Sequence, residues 1–294
     1  MPVKIVIADA MEPDVVAAIS KLGETSVSPA DLKGALSGAD ALIVRSATKV
    51  TEELLTHAPN LKLVARAGVG LDNVDQEACK KRGVKVVNTP GASTNSVAEL
   101  ALAMMFAICR RLPKADASMK SKQWLKKELT GTEIMDKTLG IVGLGRIGAS
   151  LAIKAQALGM RVVYFDPHNK ASTLGRKVSL DELFANSDYI SLHVPLTPET
   201  KGMIGEANIA KMKRTAVIVN TARGGLIDED ALYNALKEGR IGGAALDVYP
   251  QEPYGGKLCE LPNALLTPHM AGSTKEAQAR IGTELVARLR EELG

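Results

Sequence analysis

The chain has 294 residues, of which 46% are hydrophobic and 24% charged, and its formal net charge is +4. These ordinary values exclude a disordered or fibrous protein and predict one large or two average folded domains. Aromatic residues make up only 3% of the chain, and the lysines and arginines are scattered along it. We therefore expect no nucleic-acid partner, which would need stacking platforms or a concentrated basic stripe.

Residue types that bind metals or anchor a chain in a membrane are sparse. The cysteines Cys79, Cys109 and Cys259 are widely spaced, and no two histidines lie at the spacing of metal ligands. The most apolar helical stretch, residues 97–109, is too short to cross a bilayer. The N-terminal residues resemble a strand rather than a signal peptide. We expect reduced thiols, no metal site, no membrane partner and a cytoplasmic location.

Short β-branched runs alternate with helical patterns from the start of the chain. Strands are predicted over residues 3–8, 39–45, 61–68 and 84–89, and helices over residues 13–22, 51–58 and 73–83. This alternation indicates βαβ units, in which a parallel sheet is covered by helices on both faces.

The alternation restarts after the apolar helix. Further strands are predicted over residues 138–145, 161–166, 187–195, 215–222 and 242–249. A second full set of strands indicates two doubly wound α/β domains with right-handed crossovers. The amphipathic last helix, residues 274–294, follows an already complete second set, so we expect it to return to the first domain.

A glycine-rich loop, "GLGRIG", lies between a predicted strand and a predicted helix. Gly143 permits a tight turn, Gly145 lets the backbone approach a pyrophosphate, and Gly148 lets the helix lie on the strand. Asp166 follows Gly148 by 18 positions and ends the next strand. An acid there accepts hydrogen bonds from ribose hydroxyls and repels a 2′-phosphate, which favours NAD over NADP. The alternative is a structural glycine turn.

A second glycine-rich segment, residues 66–75, lacks the spacing of a dinucleotide loop. Its backbone amides, at Val69 and Gly70 among others, are able to hold a small carboxylate. A tight turn with no ligand accounts for the same residues equally well.

Reduction of a carbonyl by hydride transfer requires a proton donor and a cation that polarises the substrate. The second half of the chain offers such groups at strand ends, where open α/β sheets bind ligands. Arg223 follows one predicted strand, Asp247 comes near the end of another, Glu252 lies in the next loop, and His269 ends the apolar run "NALLTP". Position alone leaves His193, at another strand end, as an equal candidate for the proton donor.

Taken together, the motifs "GLGRIG", "VNTARGG", "ALDVYPQEP" and "TPHMAGST" resemble those of the D-isomer-specific 2-hydroxyacid dehydrogenases, and the resemblance covers essentially the whole chain. It implies that His269 is the general acid and base, that Glu252 orients it, and that Arg223 binds the substrate carboxylate and carbonyl. It also implies NAD as the cofactor, with contacts from Val69, Gly143, Gly145, Arg146, Ile147, Gly148, Asp166, His193, Val194, Pro195, Thr221, Ala222, Arg223, Asp247, His269 and Gly272.

The resemblance further implies a Rossmann-type NAD domain, residues 94–273, inserted into a flavodoxin-like substrate domain. The substrate domain is expected to comprise residues 1–93 together with the returning helix, residues 274–294. A homodimer is the expected assembly, and a small molecule the expected partner.

Within this family, "LIVRSATKVT", "ARAGVGLDNVD" and "VVNTPGASTNSVAELA" most resemble the phosphoglycerate dehydrogenase branch, which implies 3-phosphoglycerate as substrate and the first step of L-serine biosynthesis. Expected substrate contacts are Arg45, Ser46, Gly70, Asn95, Arg223 and His269. Ala47 departs from those members that carry a second basic residue at this position. The chain ends after its core, so no regulatory domain is expected. A glyoxylate or hydroxypyruvate reductase and an NAD-binding corepressor are the alternatives.

Overall fold

A computed structural model describes residues 2–168 and 172–294. The chain divides into two compact units. The first unit comprises Met1–Ser93 and Gly272–Gly294, and the second comprises Thr94–Ala271. Within the first unit, Gln278 of the last helix donates to the carbonyl oxygen of Gly272 (Nε2 to O, 2.8 Å).

The first unit is built on a five-stranded parallel sheet with the strand order β2-β1-β3-β4-β5. This is the flavodoxin-like order. Its strands are β1 (Lys4–Ile7), β2 (Glu24–Val27), β3 (Ala41–Val44), β4 (Leu63–Arg66) and β5 (Lys85–Asn88). Its helices are α1 (Pro13–Ile19), α2 (Leu32–Leu36), α3 (Glu52–Thr56), α4 (Gln76–Lys81) and, after the second unit, α11 (Lys275–Leu293).

Two apolar layers cover the faces of this sheet because alternate residues of a strand point to opposite sides. Ile5 and Ile7 pack on one side with Leu285 and Leu289 of α11, while Val6 packs on the other. The last helix therefore belongs to the core of the first unit. A Cβ added at Gly282 would clash with Val15 of α1, so the glycine allows the two helices to cross closely.

The sequence does not predict β2 and α2. The strand "ETSV" lies at the sheet edge and its side chains are mostly exposed, so it lacks the apolar run that marks the other strands. The helix has only five residues and begins at the capping residue Asp31, whose carboxylate accepts from the amide of Gly34. Elements this short leave little periodicity to detect.

The second unit is built on a seven-stranded parallel sheet ordered β12-β11-β10-β9-β6-β7-β8. Counted within the unit, its first six strands follow the Rossmann order 3-2-1-4-5-6. The strands are β6 (Thr138–Val142), β7 (Arg161–Phe165), β8 (Arg176–Lys177), β9 (Tyr189–Leu192), β10 (Val217–Asn220), β11 (Gly243–Leu246) and β12 (Ala264–Leu266). The helices are α5 (Thr94–Cys109), α6 (Leu112–Lys120), α7 (Arg146–Ala157), α8 (Leu180–Asn186), α9 (Glu206–Ile209) and α10 (Glu229–Lys237).

The predicted α/β fold with two parallel sheets is confirmed. Because the strands are parallel, their C-terminal ends lie along the same edge of each sheet, perpendicular to the edge strands. Among the residues that the structure describes, no helix combines the length and apolar character needed to cross a membrane. The same residues contain no group of three His, Cys, Asp or Glu side chains arranged to hold a metal ion.

Candidate active site

The glycine loop of the second unit joins β6 to α7. Gly143 has a φ of +93°, which residues with a side chain rarely adopt. A Cβ there would lie 2.7 Å from the carbonyl oxygen of His193, and a Cβ at Gly148 would clash with the carbonyl oxygen of Gly143. A Cβ at Gly145 would meet no atom of the described chain within 4 Å. The outer two glycines therefore serve the turn and the packing, whereas the space beside Gly145 is open to a ligand.

The N-terminus of α7 follows this open space. Gly145 is its N-cap, and no side chain among the described residues caps the first turn. The first amides of a helix have no partner within the helix, and its dipole favours a negative charge there. Arg146 is exposed and Ile147 half-buried. The arrangement fits a pyrophosphate, as the sequence predicts.

Asp166 follows β7, which pairs with β6, so it lies beside the glycine loop. Its Oδ2 accepts a hydrogen bond from the amide of Leu144 and its Oδ1 one from the amide of His168, both at 2.8 Å. Asp166 therefore fixes the glycine loop, and its expected contact with ribose hydroxyls stays a prediction.

His193 lies at the end of β9 and differs strongly from His269 in its surroundings. Its Nε2 is 2.9 Å from Oγ of Ser191, and its buried Nδ1 has no hydrogen-bond partner among the described residues. Burial lowers the pKa of His193 to about 4. The ring is therefore neutral at physiological pH and is a poor source of the proton that carbonyl reduction requires.

The sequence-predicted cofactor residues Val194 and Pro195 continue the chain from His193, and Thr221 and Ala222 follow β10. The hydroxyl of Thr221 is buried and has no hydrogen-bond partner in the described part of the chain. Together with the Nδ1 of His193, it leaves two orphaned polar atoms at the ends of adjacent strands. These atoms and the open space at Gly145 fit a dinucleotide along this edge.

Asn220, a residue that the sequence analysis did not single out, shapes the turn that carries Arg223. It is fully buried, accepts from the amide of Ala222 (3.0 Å) and donates to the carbonyl oxygen of Arg223 (2.8 Å). A Cβ at Gly224 would clash with the backbone of Tyr249, so the turn packs directly on the loop that bears Glu252. The only sequence signal is a polar residue at the end of an apolar strand.

His269 and Glu252 form an ion pair. Nδ1 of His269 lies 2.7 Å from Oε2 of Glu252, and the two side chains are 48% and 37% exposed. The other carboxylate oxygen, Oε1, accepts a hydrogen bond from the backbone amide of Tyr249 (3.1 Å). A carboxylate at Nδ1 fixes the orientation of the ring, which leaves Nε2 to exchange a proton with a substrate.

Asp247 holds the turn that presents His269. Its fully buried carboxylate accepts from Oγ1 of Thr267 (2.6 Å) and from the amides of Met270 and Ala271 (both 2.8 Å). His269 itself has a φ of +50°, an uncommon left-handed backbone for a residue with a side chain. The carboxylate therefore acts on the protein's own backbone, and its expected contact with the cofactor stays a prediction.

In the first unit, Arg45 follows β3 and its guanidinium contacts neutral oxygens. Nη1 donates to the carbonyl oxygen of Ala10 (3.0 Å) and Nη2 to Oε1 of Gln278 (2.6 Å). The side chain lines an open groove of about 990 Å³ between α1 and α11. The groove also carries two acidic and two basic side chains, those of Glu12, Asp14, Lys275 and Arg290.

The turn after Arg45, which includes Ser46, is ordered by two residues that the sequence analysis missed. The carboxylate of Asp9 accepts from the amide of Arg45 (2.6 Å) and from the amide and hydroxyl of Thr48. The side-chain amide of Asn73 donates to the carbonyl oxygens of Arg45 (2.8 Å) and Thr48 (2.7 Å). The turn is therefore fixed without any substrate.

The remaining predicted residues are distributed over both units. Val69 and Gly70 follow β4 in the first unit, at the same sheet edge as Arg45, and Asn88 holds the carbonyl oxygen of Val69 (2.5 Å). Gly272 also belongs to the first unit. Asn95 is the second residue of α5 in the second unit, and its side-chain amide donates to Oε1 of Glu99 (2.6 Å).

Residues 102–271 match the family model for the NAD-binding domain of the D-isomer specific 2-hydroxyacid dehydrogenases. The chain is 50% identical over 260 residues to a hydroxypyruvate reductase from Thermotoga maritima, a match that covers 87% of this chain and 85% of that protein. It is 44% identical to a D-3-phosphoglycerate dehydrogenase from Methanocaldococcus jannaschii, over 99% of this chain but 57% of the relative. The chain thus spans little more than half of that relative's length.

Among solved structures, D-lactate dehydrogenase from Aquifex aeolicus complexed with NAD and lactic acid matches with a TM-score of 0.88 and 34% identity. The match covers 98% of this chain and 94% of that chain. The family model covers more than half of the chain, the relatives are well above 30% identical, and the solved structure has the same fold. The protein belongs to the D-isomer-specific 2-hydroxyacid dehydrogenase family and is an NAD-dependent dehydrogenase.

Proposed function

We propose that the protein interconverts 3-phosphoglycerate and 3-phosphohydroxypyruvate with NAD, the first step of L-serine biosynthesis. The observation that carries the chemistry is the ion pair of His269 and Glu252 at the edge of the Rossmann sheet. The phosphorylated substrate is supported by relatives named D-3-phosphoglycerate dehydrogenase at 43–48% identity. It is also supported by Arg45, whose guanidinium donates its hydrogen bonds to neutral oxygens.

The proton transfer belongs to His269. During reduction its imidazolium gives the Nε2 proton to the substrate oxygen that becomes a hydroxyl, and during oxidation the neutral ring takes that proton back. Glu252 holds the Nδ1 proton throughout and stabilises the charged ring. When bound, NADH would supply the hydride for reduction and NAD⁺ would accept it in oxidation. The guanidinium of Arg223, set by the turn at Asn220, binds and polarises the 2-oxo acid group.

Recognition of the phosphate is assigned to Arg45 and the turn that begins with Ser46. The carboxylate of Asp9 accepts from this turn and the side-chain amide of Asn73 donates to it. These hydrogen bonds order the backbone before substrate arrives, which lowers the entropic cost of binding. A guanidinium binds a phosphate with charge-assisted, often bidentate hydrogen bonds. Because Glu12 and Asp14 balance the other cations of the groove, the contribution of Arg45 is expected to be decisive.

A hydroxypyruvate reductase is the second candidate function. The observation in its favour is the match to the enzyme of that name from Thermotoga maritima, whose length the chain covers to 85%. Hydroxypyruvate is 3-phosphohydroxypyruvate without its phosphate, so the two candidates require the same chemistry at His269 and differ only in the need for Arg45.

Steady-state kinetics of the wild type separates the two candidates. NADH oxidation is measured with 3-phosphohydroxypyruvate, hydroxypyruvate, glyoxylate and pyruvate at a fixed saturating cofactor concentration. The proposal requires the highest kcat/KM with the phosphorylated acid. A higher kcat/KM with hydroxypyruvate would assign the protein to the reductase function, and the absence of turnover with every 2-oxo acid would refute both.

We also propose that the protein is a homodimer that buries an apolar flank of the second unit. We use the name flank for the seven large apolar side chains between residues 106 and 158 that are exposed, namely Phe106, Leu112, Met119, Trp124, Met135, Ile153 and Leu158, among which Trp124 is 77% exposed. So much exposed apolar surface is typical of an interface between proteins. A second copy is the partner that is always present at equal concentration.

Trp124 is the only tryptophan of the chain, so its fluorescence reports directly on this assembly. A dimer through the flank predicts blue-shifted emission at micromolar concentration and a red shift on dilution, in step with the loss of dimer mass by light scattering. Trp emission that stays red-shifted while the protein is dimeric would place the interface elsewhere. The cytoplasmic location also stays a proposal, supported by three cysteines that are all free thiols.

A further inference from the structure

Tyr249 contacts Glu252 directly, and through a different group it contacts the backbone turn that carries His269. Its backbone amide donates to Oε1 of Glu252 (3.1 Å). Its hydroxyl lies 2.9 Å from the carbonyl oxygen of Thr267 and 3.0 Å from that of Leu246. The carbonyl oxygen of Thr267 also accepts the amide of His269 at 3.0 Å. One buried residue thus holds the carboxylate directly and reaches the backbone turn of the histidine through a single shared acceptor.

The two carbonyl oxygens lie at the ends of neighbouring strands, β11 and β12. Leu246 precedes Asp247, and Thr267 lies two positions before His269. Because the hydroxyl bridges both strand ends, it constrains the spacing between the loop that leaves β11 with Glu252 and the turn that leaves β12 with His269. Burial raises the pKa of Tyr249 to about 12, so the hydroxyl keeps its proton over the working pH range.

The ring of Tyr249 is held separately from its hydroxyl. It stacks on Tyr254 with the ring centroids 4.2 Å apart and an angle of 14° between the planes. The hydroxyl of Tyr254 donates to Oε1 of Glu229 on α10 (3.0 Å) and so points away from the strand ends. The two tyrosines therefore share one stacking contact. Of the two, Tyr249 is hydrogen-bonded to Glu252 and to the turn that carries His269, whereas the hydroxyl of Tyr254 is hydrogen-bonded to Glu229.

We propose that Tyr249 is a positioning residue for the His269–Glu252 pair, acting through its hydroxyl on the turn that carries the histidine. This inference rests on the proposed role of the pair in proton transfer. The carboxylate of Asp247 holds the same turn through the amides of Met270 and Ala271, so loss of the hydroxyl loosens the histidine without releasing it. A partial and specific loss of function is therefore expected.

The test compares Tyr249→Phe with Tyr254→Phe, two variants that each lose one hydroxyl from the same stacked pair. The first readout needs no turnover. A proton held between Nδ1 of His269 and a carboxylate gives a far-downfield NMR signal, which Glu252→Gln identifies by abolishing it. We expect Tyr249→Phe to broaden or shift this signal and Tyr254→Phe to leave it as in the wild type.

The second readout is kinetic. Loss of one net hydrogen bond corresponds to roughly a fivefold change in an equilibrium or rate, so we expect kcat for reduction to fall about fivefold in Tyr249→Phe, with KM for NADH unchanged. Tyr254→Phe should retain the wild-type kcat. An unchanged signal and kcat in Tyr249→Phe, or equal losses in both variants, would overturn the inference. Absence of wild-type turnover would refute the proposed function instead, and the NMR comparison would still decide the role of Tyr249.

Discussion

The two parallel sheets present polar side chains at the same kind of edge but use them differently. In the second unit His269 faces the carboxylate of Glu252, a pair suited to hold and exchange a proton. In the first unit the guanidinium of Arg45 donates to neutral oxygens, those of Ala10 and Gln278, so these two partners do not cancel its charge. The same architecture therefore places a histidine–carboxylate pair at the strand ends of one sheet and a cation bound to neutral oxygens at those of the other.

The largest expected effect comes from removing the proton donor. His269→Ala should lower kcat by about 10²–10⁴-fold, the usual contribution of a positioned general acid, while NADH binding measured by fluorescence titration is retained. The exposed His57 at the end of α3 in the first unit provides the control. His57→Ala also removes one imidazole, but no role in proton transfer is proposed for this residue, so the variant should keep wild-type kcat. A His269→Ala enzyme with more than a tenth of wild-type kcat would contradict the assignment.

The next effect should be confined to the phosphorylated substrate. A charge-assisted hydrogen bond is worth about 1.5–3 kcal/mol, so Arg45→Ala should lower kcat/KM for 3-phosphohydroxypyruvate roughly 10- to 100-fold. The kcat/KM for hydroxypyruvate should hardly change. Arg290→Ala, which removes another cation of the same groove, is the matched control and should affect neither substrate. Equal losses of Arg45→Ala on both substrates would show that the arginine serves only the fold.

A smaller effect is expected at the cofactor. Asp166→Ala removes the negative charge beside the glycine loop, so kcat/KM for NADH should fall about tenfold and that for NADPH should fall less or rise. Each cofactor serves as the internal control for the other, because loss of the hydrogen bond to the amide of Leu144 affects both equally. A wild type that uses both cofactors with equal efficiency would contradict the role given to Asp166.

The smallest effect is expected from Glu252→Gln. This variant keeps the size of the side chain but removes the carboxylate that fixes the His269 ring through Nδ1, so kcat for reduction should fall. A partly exposed pair contributes up to about 1 kcal/mol, which corresponds to a fall in kcat of up to about fivefold. A kcat identical to that of the wild type would remove Glu252 from the mechanism.

Much of the fold follows from the sequence, because buried parallel strands are continuous apolar runs that alternate with helices. The runs "KIVI" and "VIVN" were predicted as strands and are strands, whereas the exposed edge strand "ETSV" was not predicted. The destination of the last helix followed from counting strands, since the second set was complete without it.

At the site, the sequence identified residues that carry motifs but not those that hold them in place. Asp9 and Asn73 bond to a turn that is distant from them in the chain, whereas Asn220 bonds to the turn that follows its own strand. Asp9 and Asn220 share one detectable signal, a polar residue directly at the carboxyl end of an apolar strand. The bridge from Tyr249 to Thr267 depends on β11 lying next to β12, which no local pattern reveals.

We expect the strand ends of the second sheet to support NAD-dependent reduction of a 2-oxo acid to a D-2-hydroxy acid. Transfer of deuterium from the cofactor to the product shows directly whether this reaction takes place. The wild type is incubated with 3-phosphohydroxypyruvate and NADH carrying deuterium at both C4 positions, and the product is analysed by mass spectrometry and chiral chromatography. We expect one deuterium at C2 of the D-isomer, formed at least 100-fold more slowly by His269→Ala. Product without deuterium, the L-isomer, or equal rates for both proteins would contradict the account.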